Sequence, residues 1–234
     1  MSNKARFFSC AFFLAVLASF PMMASASVVI NGTRVIYSSS DKETTVRLNN
    51  VGKSPVLIQS WIDDGDPNKK PENINVPFIL TPPINRIDAG KGQTLRLSYT
   101  GAPLPADKES VYWLNVLEIP AKKQLKGDES LLQMAFRSRI KLFFRPDGLS
   151  GDANEAAKQL SWSVTPGGVK ATNPTPYFVS LVSLAANGKE TEGQMIAPRS
   201  ALEFKGVSAA AGKSLSVEFV NDYGAVNKFI ALVK

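Results

Sequence analysis

The sequence predicts an all-β protein of two sandwich domains, and three observations carry that prediction. Short runs of β-branched and aromatic residues alternate with polar ones along nearly the whole chain. Clusters of Asn, Asp, Gly and Pro separate the runs. A single break, Arg145-Pro146-Asp147-Gly148-Leu149-Ser150, ends the longest of them before the pattern resumes.

Ahead of the break, Val28–Tyr37, Thr44–Asn49, Val56–Ile62, Leu95–Tyr99, Val111–Ile119 and Leu132–Phe144 read as strands, the first bent at Asn31-Gly32-Thr33. Turn formers lie between them, at Asn49-Asn50-Val51-Gly52, Asp63-Asp64-Gly65-Asp66-Pro67 and Asp88-Ala89-Gly90-Lys91-Gly92. That strand complement is the one an immunoglobulin-like sandwich needs. Beyond the break, Asp152-x-x-Glu155 ahead of Ala156-Ala157-Lys158 has the spacing of a capping box for one helical turn. Strands resume at Leu160–Val164, Phe178–Ala185, Ser200–Phe204, Leu215–Val220 and Lys228–Val233, which make a smaller second β-domain. The expected division is an export signal over 1–26, a first domain over 27–146 and a second over 147–234.

Lys4 and Arg6 followed by the apolar run Cys10–Phe20 and the motif Ala24-Ser25-Ala26 predict secretory export with cleavage after Ala26. The lead Phe7-Phe8-Ser9 is not the small-residue lead that lipidation of Cys10 requires. Cleavage removes the sole cysteine and leaves no disulfide, so each domain must be held by its own core. It also removes two cations from a formal charge of +7. The remaining positive charge is scattered without a basic run, which argues against nucleic acid as a partner. No membrane insertion is expected after cleavage.

The chain of 234 residues has no histidine. A Ser-His-Asp or Cys-His relay and a Cys/His zinc site are therefore excluded. Asp64-x-Asp66-x-Asn68 begins like a calcium loop, but Lys69 and Asn75 occupy the places where glycine and glutamate are required. Glu109 and Glu118 are the best candidates for a glycosidase pair, although nothing in the sequence brings them to one cleft. Asn31-Gly32-Thr33 matches a glycosylation acceptor and carries little weight.

Two cations stand out because each interrupts an apolar strand: Arg34 in Thr33-Arg34-Val35-Ile36-Tyr37, and Lys141 in Arg139-Ile140-Lys141-Leu142-Phe143-Phe144. The strand ending at Phe144 carries an apolar row at Leu132, Met134, Phe136, Ile140, Leu142 and Phe144, broken only at Ser138. The row either lines its own core throughout or overhangs the sheet at Leu132, Met134 and Phe136. Parity leaves both readings open.

Leu104-Pro105-Ala106-Asp107-Lys108-Glu109-Ser110-Val111-Tyr112-Trp113-Leu114-Asn115-Val116, ending in Ile119-Pro120, resembles the signature of the periplasmic pilus chaperones of the chaperone-usher pathway. Pro77-Phe78 with Thr81-Pro82-Pro83, Ile140-Lys141-Leu142-Phe143-Phe144-Arg145-Pro146, and Asn221-Asp222-Tyr223-Gly224 follow in the order of that family. The resemblance implies two immunoglobulin-like β-sandwich domains set in an L around an inter-domain cleft. It implies that Arg34 and Lys141 bind the C-terminal carboxylate of a pilus subunit. Leu132, Met134 and Phe136 would fill a groove in that subunit by strand donation. Glu109, Arg145 and Asp222 would form an inter-domain charge cluster.

The partners so implied are pilus or fimbrial subunits and an outer-membrane usher, with self-association through the exposed edge when free. No cofactor, metal or catalysis is implied. The short segment between Pro120 and Leu131 and the second domain's lack of a cysteine pair point to the short-loop subgroup. Met134 departs from the branched aliphatic residues commoner there. The alternative reading is an exported β-sandwich adhesin or pilin subunit, and a more distant one is a secreted carbohydrate-active enzyme.

Overall fold

The computed structural model describes residues 27–121 and 133–234. The expected export signal over 1–26, the expected groove-filling residue Leu132 and the segment behind the short-loop reading lie outside them. Nine strands build the first sandwich. They are β1 (Val28–Ile30), β2 (Arg34–Ser38), β3 (Thr44–Asn50), β4 (Val56–Asp63), β5 (Phe78–Thr81), β6 (Ile84–Ile87), β7 (Gly92–Tyr99), β8 (Ser110–Pro120) and β9 (Phe136–Arg145). One sheet has the order β1-β3-β7-β5 and the other β2-β9-β8-β4-β6.

The first predicted strand is two strands in different sheets. β1 pairs antiparallel with β3, whereas β2 pairs parallel with β9. The crossing falls at Asn31-Gly32-Thr33, where Gly32 has φ +133°, a conformation that only glycine adopts without strain. A second crossing separates β5 from β6 at Pro82-Pro83. Proline donates no N–H to a ladder, so pairing has to break there. Neither β5 nor β6 was expected as a strand, because both are four residues long and flank the prolines.

Alternation places Val46, Leu48, Leu95 and Leu97 of one sheet against Ile58, Leu114, Val116, Leu142 and Phe144 of the other, all buried. Tyr37, Phe78, Tyr99 and Phe144 stack and edge against one another at the end of this core nearest the second domain. The Tyr37 hydroxyl accepts from the Tyr99 N–H at 3.0 Å and faces the Asp41 carbonyl at 3.0 Å as donor.

The second sandwich has β10 (Ser161–Thr165), β11 (Gly168–Asn173), β12 (Val179–Ala186), β13 (Lys189–Glu192), β14 (Met195–Ile196), β15 (Ser200–Lys205), β16 (Ser214–Val220) and β17 (Val226–Leu232). The sheets run β10-β11-β15 and β13-β12-β16-β17, with β14 on β12. Trp162, Val169, Ala171, Leu184, Leu215, Val217 and Phe219 fill the space between them. β11 escaped the sequence pattern because its inward residues are Val169, the small Ala171 and the polar Asn173. Gly168 sits where a Cβ would fall 2.0 Å from the Phe204 carbonyl oxygen, so the approach of β15 admits no side chain.

The expected capping box does not form. Ala156–Gln159 is a 3-10 turn that no side chain caps. Asp152 accepts instead from the Asn154 N–H at 2.8 Å, and Glu155 pairs with Lys158 at 2.7 Å. A turn this short offers the orphan donors to the preceding loop rather than to a glutamate one turn on.

Candidate functional site

Arg34 and Lys141 are direct partners in the parallel register of β2 and β9. Both side chains reach toward the second domain. Arg34 Nη1 donates to the Val220 carbonyl at 3.1 Å, and Lys141 Nζ donates to Ser180 Oγ at 3.1 Å. The guanidinium lies 5.8 Å from the centre of the Phe143 ring, and its buried Nε–H has no acceptor among the described residues. Neither cation takes part in an ion pair among those residues. Burial lowers the pKa of the Lys141 ammonium, and the charge of Arg34 lowers it further. Burial also lowers that of Arg34, with the more distant Asp222 and Glu109 opposing. Two partly desolvated cations with donors to spare make a site for an anion.

The three residues expected to form a charge cluster are joined through Arg145. Its Nε donates to Glu109 at 2.7 Å, while Nη1 and Nη2 donate to the two Asp222 oxygens at 2.7 and 2.9 Å. Glu109 also accepts the Phe178 N–H at 2.8 Å, and its own N–H donates to the Pro176 carbonyl at 2.9 Å. The guanidinium lies over Tyr177. One arginine at the last position of β9 thus fastens the chain ahead of β8 to two loops of the second domain. Burial opposes the charge of Arg145, but the bonds to Asp222 and the field of Glu109 win, and its pKa rises. Burial raises the pKa of Glu109, restrained by Arg145 and the Phe178 N–H.

The apolar row of β9 divides. Leu142 and Phe144 belong to the first core and Ile140 packs against it, but Phe136 is 39% exposed and Met134 54%. Met134 lies ahead of the strand, without ladder pairing, so β9 is shorter than the sequence pattern suggested. From Phe136 to Phe144 β9 pairs with β8, yet on its other side β2 covers only Lys141 to Arg145. Phe136 to Ile140 therefore present an edge without a strand partner among the described residues. Its closed end is marked by Arg34 and Lys141.

Sequence reasoning missed the support beneath this edge. Arg139 points to the outer face of the sheet, where Nε donates to Asp63 at 2.9 Å, and the guanidinium lies 4.6 Å from the centre of the Trp113 ring. Asp63 also accepts from Asn115 Nδ2 at 2.7 Å and the Gly65 N–H at 2.8 Å. Burial would raise the Asp63 pKa, but Arg139, Asn115 and the Gly65 N–H together lower it. The loop that only begins like a calcium site uses its carboxylates internally: Asp64 pairs with Lys69 at 2.8 Å, and Asp66 accepts the Asn68 N–H at 2.9 Å. Glu109 and Glu118 are buried rather than superficial. Nine residues of extended chain set them about 30 Å apart, against the roughly 5–10 Å of a glycosidase pair.

Comparison with known proteins identifies the family of both domains. Residues 27–150 match the family described as pili and flagellar-assembly chaperone, PapD N-terminal domain. Residues 155–231 match pili assembly chaperone PapD, C-terminal domain. Over 231 residues the chain is 47% identical to the chaperone protein FimB/FhaD of Bordetella pertussis, covering 94% of this chain and 93% of that protein. It is 48% identical over 221 residues to the probable fimbrial chaperone YadV of Escherichia coli K12, covering 88% and 89%. In the structure of the Salmonella enterica SafA pilin in complex with the SafB chaperone, one chain superposes with a TM-score of 0.79 at 27% identity, covering 89% of this chain and 97% of that one. With both domains matched in order, the chain belongs to the pilus assembly chaperone family.

Proposed function

We propose that this chaperone, exported to the periplasm and cleaved after Ala26, captures a pilus subunit along the open edge of β9 and delivers it to an outer-membrane usher. The observation that carries the reading is the edge itself: among the described residues Phe136 to Ile140 are paired on one side only, and the edge stops at two cations without an ion-pair partner there. A guest strand whose terminal carboxylate sits between Arg34 and Lys141, and whose preceding residues lie beside Ile140 to Phe136, runs parallel to β9. It takes the line that β2 would occupy if β2 were longer. Its main chain satisfies the unpaired groups of the edge, and the carboxylate fixes its register.

Leu132, Met134 and Phe136 then enter the groove of the incomplete subunit. Each buried apolar side chain contributes roughly 1.5–3 kcal/mol before ordering costs are subtracted. The Arg145 hub holds the angle between the domains and so the position of the carboxylate. No bond is made or broken, and no cofactor enters the cycle. The solved complex of the SafA pilin with the SafB chaperone supports this reading over that of an adhesin or pilin, which would itself be the guest.

The test is co-export with a fimbrial subunit and recovery of the complex from the periplasm. A subunit with its natural C-terminus is expected to co-purify, and the same subunit lengthened by five residues beyond that terminus is expected to be lost. Equal recovery of both would overturn the carboxylate anchor.

A further inference from the structure

Glu118 has an unexpected occupation. It lies near the end of β8, opposite Ile58 of β4 and Phe136 of β9, and points between the sheets with 7% of its surface exposed. Its Oε2 accepts the N–H of Ser27 at 3.0 Å and that of Val28 at 2.9 Å, and its Oε1 accepts the Ser27 hydroxyl. Three donors converge on this carboxylate, yet it forms no ion pair among the described residues. A buried carboxylate with only neutral donors is incompletely compensated.

Ser27 is itself held in a cradle. Its carbonyl accepts the Val51 N–H at 2.8 Å, and Gly52 lies so close that a Cβ there would fall 2.5 Å from the Ser27 Cβ. One residue on, β1 begins its register with Val28 opposite Asn50. Glu118, Val51 and Gly52 thus fix the residue at which the predicted cleavage starts the mature chain.

The geometry points to Glu118 as the receptor for the α-ammonium group of Ser27, an inference that rests on cleavage after Ala26. In the precursor the Ser27 nitrogen is a peptide amide with a single hydrogen, which Glu118 accepts. Hydrolysis of the Ala26–Ser27 bond by an external peptidase and water leaves a carboxylate on Ala26 and an amine on Ser27. With an ordinary α-amino pKa of about 7.7–8.0, that amine takes up a proton at neutral pH. The carboxylate gains its counter-ion without moving. Processing thereby turns a neutral hydrogen bond into a charge-assisted one that ties β1 of one sheet to β8 of the other, so the first domain reaches full stability only after the signal is removed.

The experiment compares a chain beginning at Ser27 with one beginning two residues earlier, at Ser25, each with Glu118 and with Glu118→Gln. Urea unfolding of the four proteins is expected to show that the substitution lowers the folding equilibrium constant about tenfold more in the Ser27 chain. Losses equal within twofold would overturn the pair. A second measurement needs no substitution: the Ser27 amine is expected to acetylate with an amine-reactive ester at least tenfold more slowly than the Ser25 amine, and equal rates would overturn it. Intact-mass measurement of the exported protein keeps the two premises apart. A start other than Ser27 refutes the cleavage reading whatever the unfolding cycle shows.

Discussion

Arg34 and Lys141 stand side by side across the parallel pair β2–β9, with no acidic side chain bonded to either among the described residues. Like charges facing each other across a ladder destabilise it, and partial burial adds to the cost. The arrangement is poor for the free protein and good for an anionic guest.

Arg34→Ala is therefore expected to leave the thermal melt within about 1 kcal/mol of the parent or to raise it, because a mutually repelling cation is gone. The same change is expected to raise the Lys141 pKa, readable by NMR of its side chain. Subunit binding should lose about 2–5 kcal/mol by calorimetry or competition, the usual cost of truncating one partner of a desolvated charge pair. A large stability loss would show that Arg34 serves the fold instead.

Lys141 predicts two opposite pH trends. Its pKa in the folded chain lies below the ordinary lysine value of 10.5. Between those two values the unfolded chain binds more protons than the folded one, so stability rises with pH across the window. Carboxylate binding needs the protonated ammonium, so subunit affinity falls across the same window. Urea midpoints and affinity titrations should diverge, and Lys141→Met should abolish both dependences.

Met134→Glu and Phe136→Glu place a charge where both side chains already face solvent. Melting is expected to shift by no more than about 0.5 kcal/mol for Met134→Glu, the ordinary range for exposed substitutions. Recovery of the subunit should fall by at least tenfold, because its groove would have to bury a carboxylate. Unfolding of the free variants would assign these residues to the chaperone's own core.

Arg145→Ala should cost about 3–5 kcal/mol, since it strands the buried Glu109 carboxylate and frees Asp222. Calorimetry is expected to resolve two transitions where the parent shows one, as the domains lose their tie. Glu109→Gln keeps an acceptor for the Phe178 N–H and should cost less.

The alternation in Val111–Ile119 and the break at Arg145-Pro146 made both domains legible, because strand period and turn chemistry are local. The pairing of Arg34 with Lys141 was not, since each looks like an ordinary polar position until a parallel register sets them abreast. Resemblance suggested the role proposed for them, and physics alone left the choice open. Likewise the row from Leu132 to Phe144 has one parity throughout, so alternation alone does not reveal that Ile140 packs on the core while Phe136 and Met134 are exposed. The Asp63, Asn115 and Arg139 cluster joins positions 52 and 76 residues apart, with no motif to announce it. Short strands beside Pro82-Pro83 read as loop because they lack length, and their crossing between sheets is a tertiary fact.

The crossing at Gly32 acts as a ruler. By sending its first three paired residues to the opposite sheet, the chain leaves a berth of five residues, Phe136 to Ile140, about 17 Å long. On the proposed reading, a client shorter than that berth reaches the cations only by leaving hydrogen-bonding groups bare, and a longer one must project past the strand toward Met134. Moving the glycine one position along the sequence would recalibrate which clients fit.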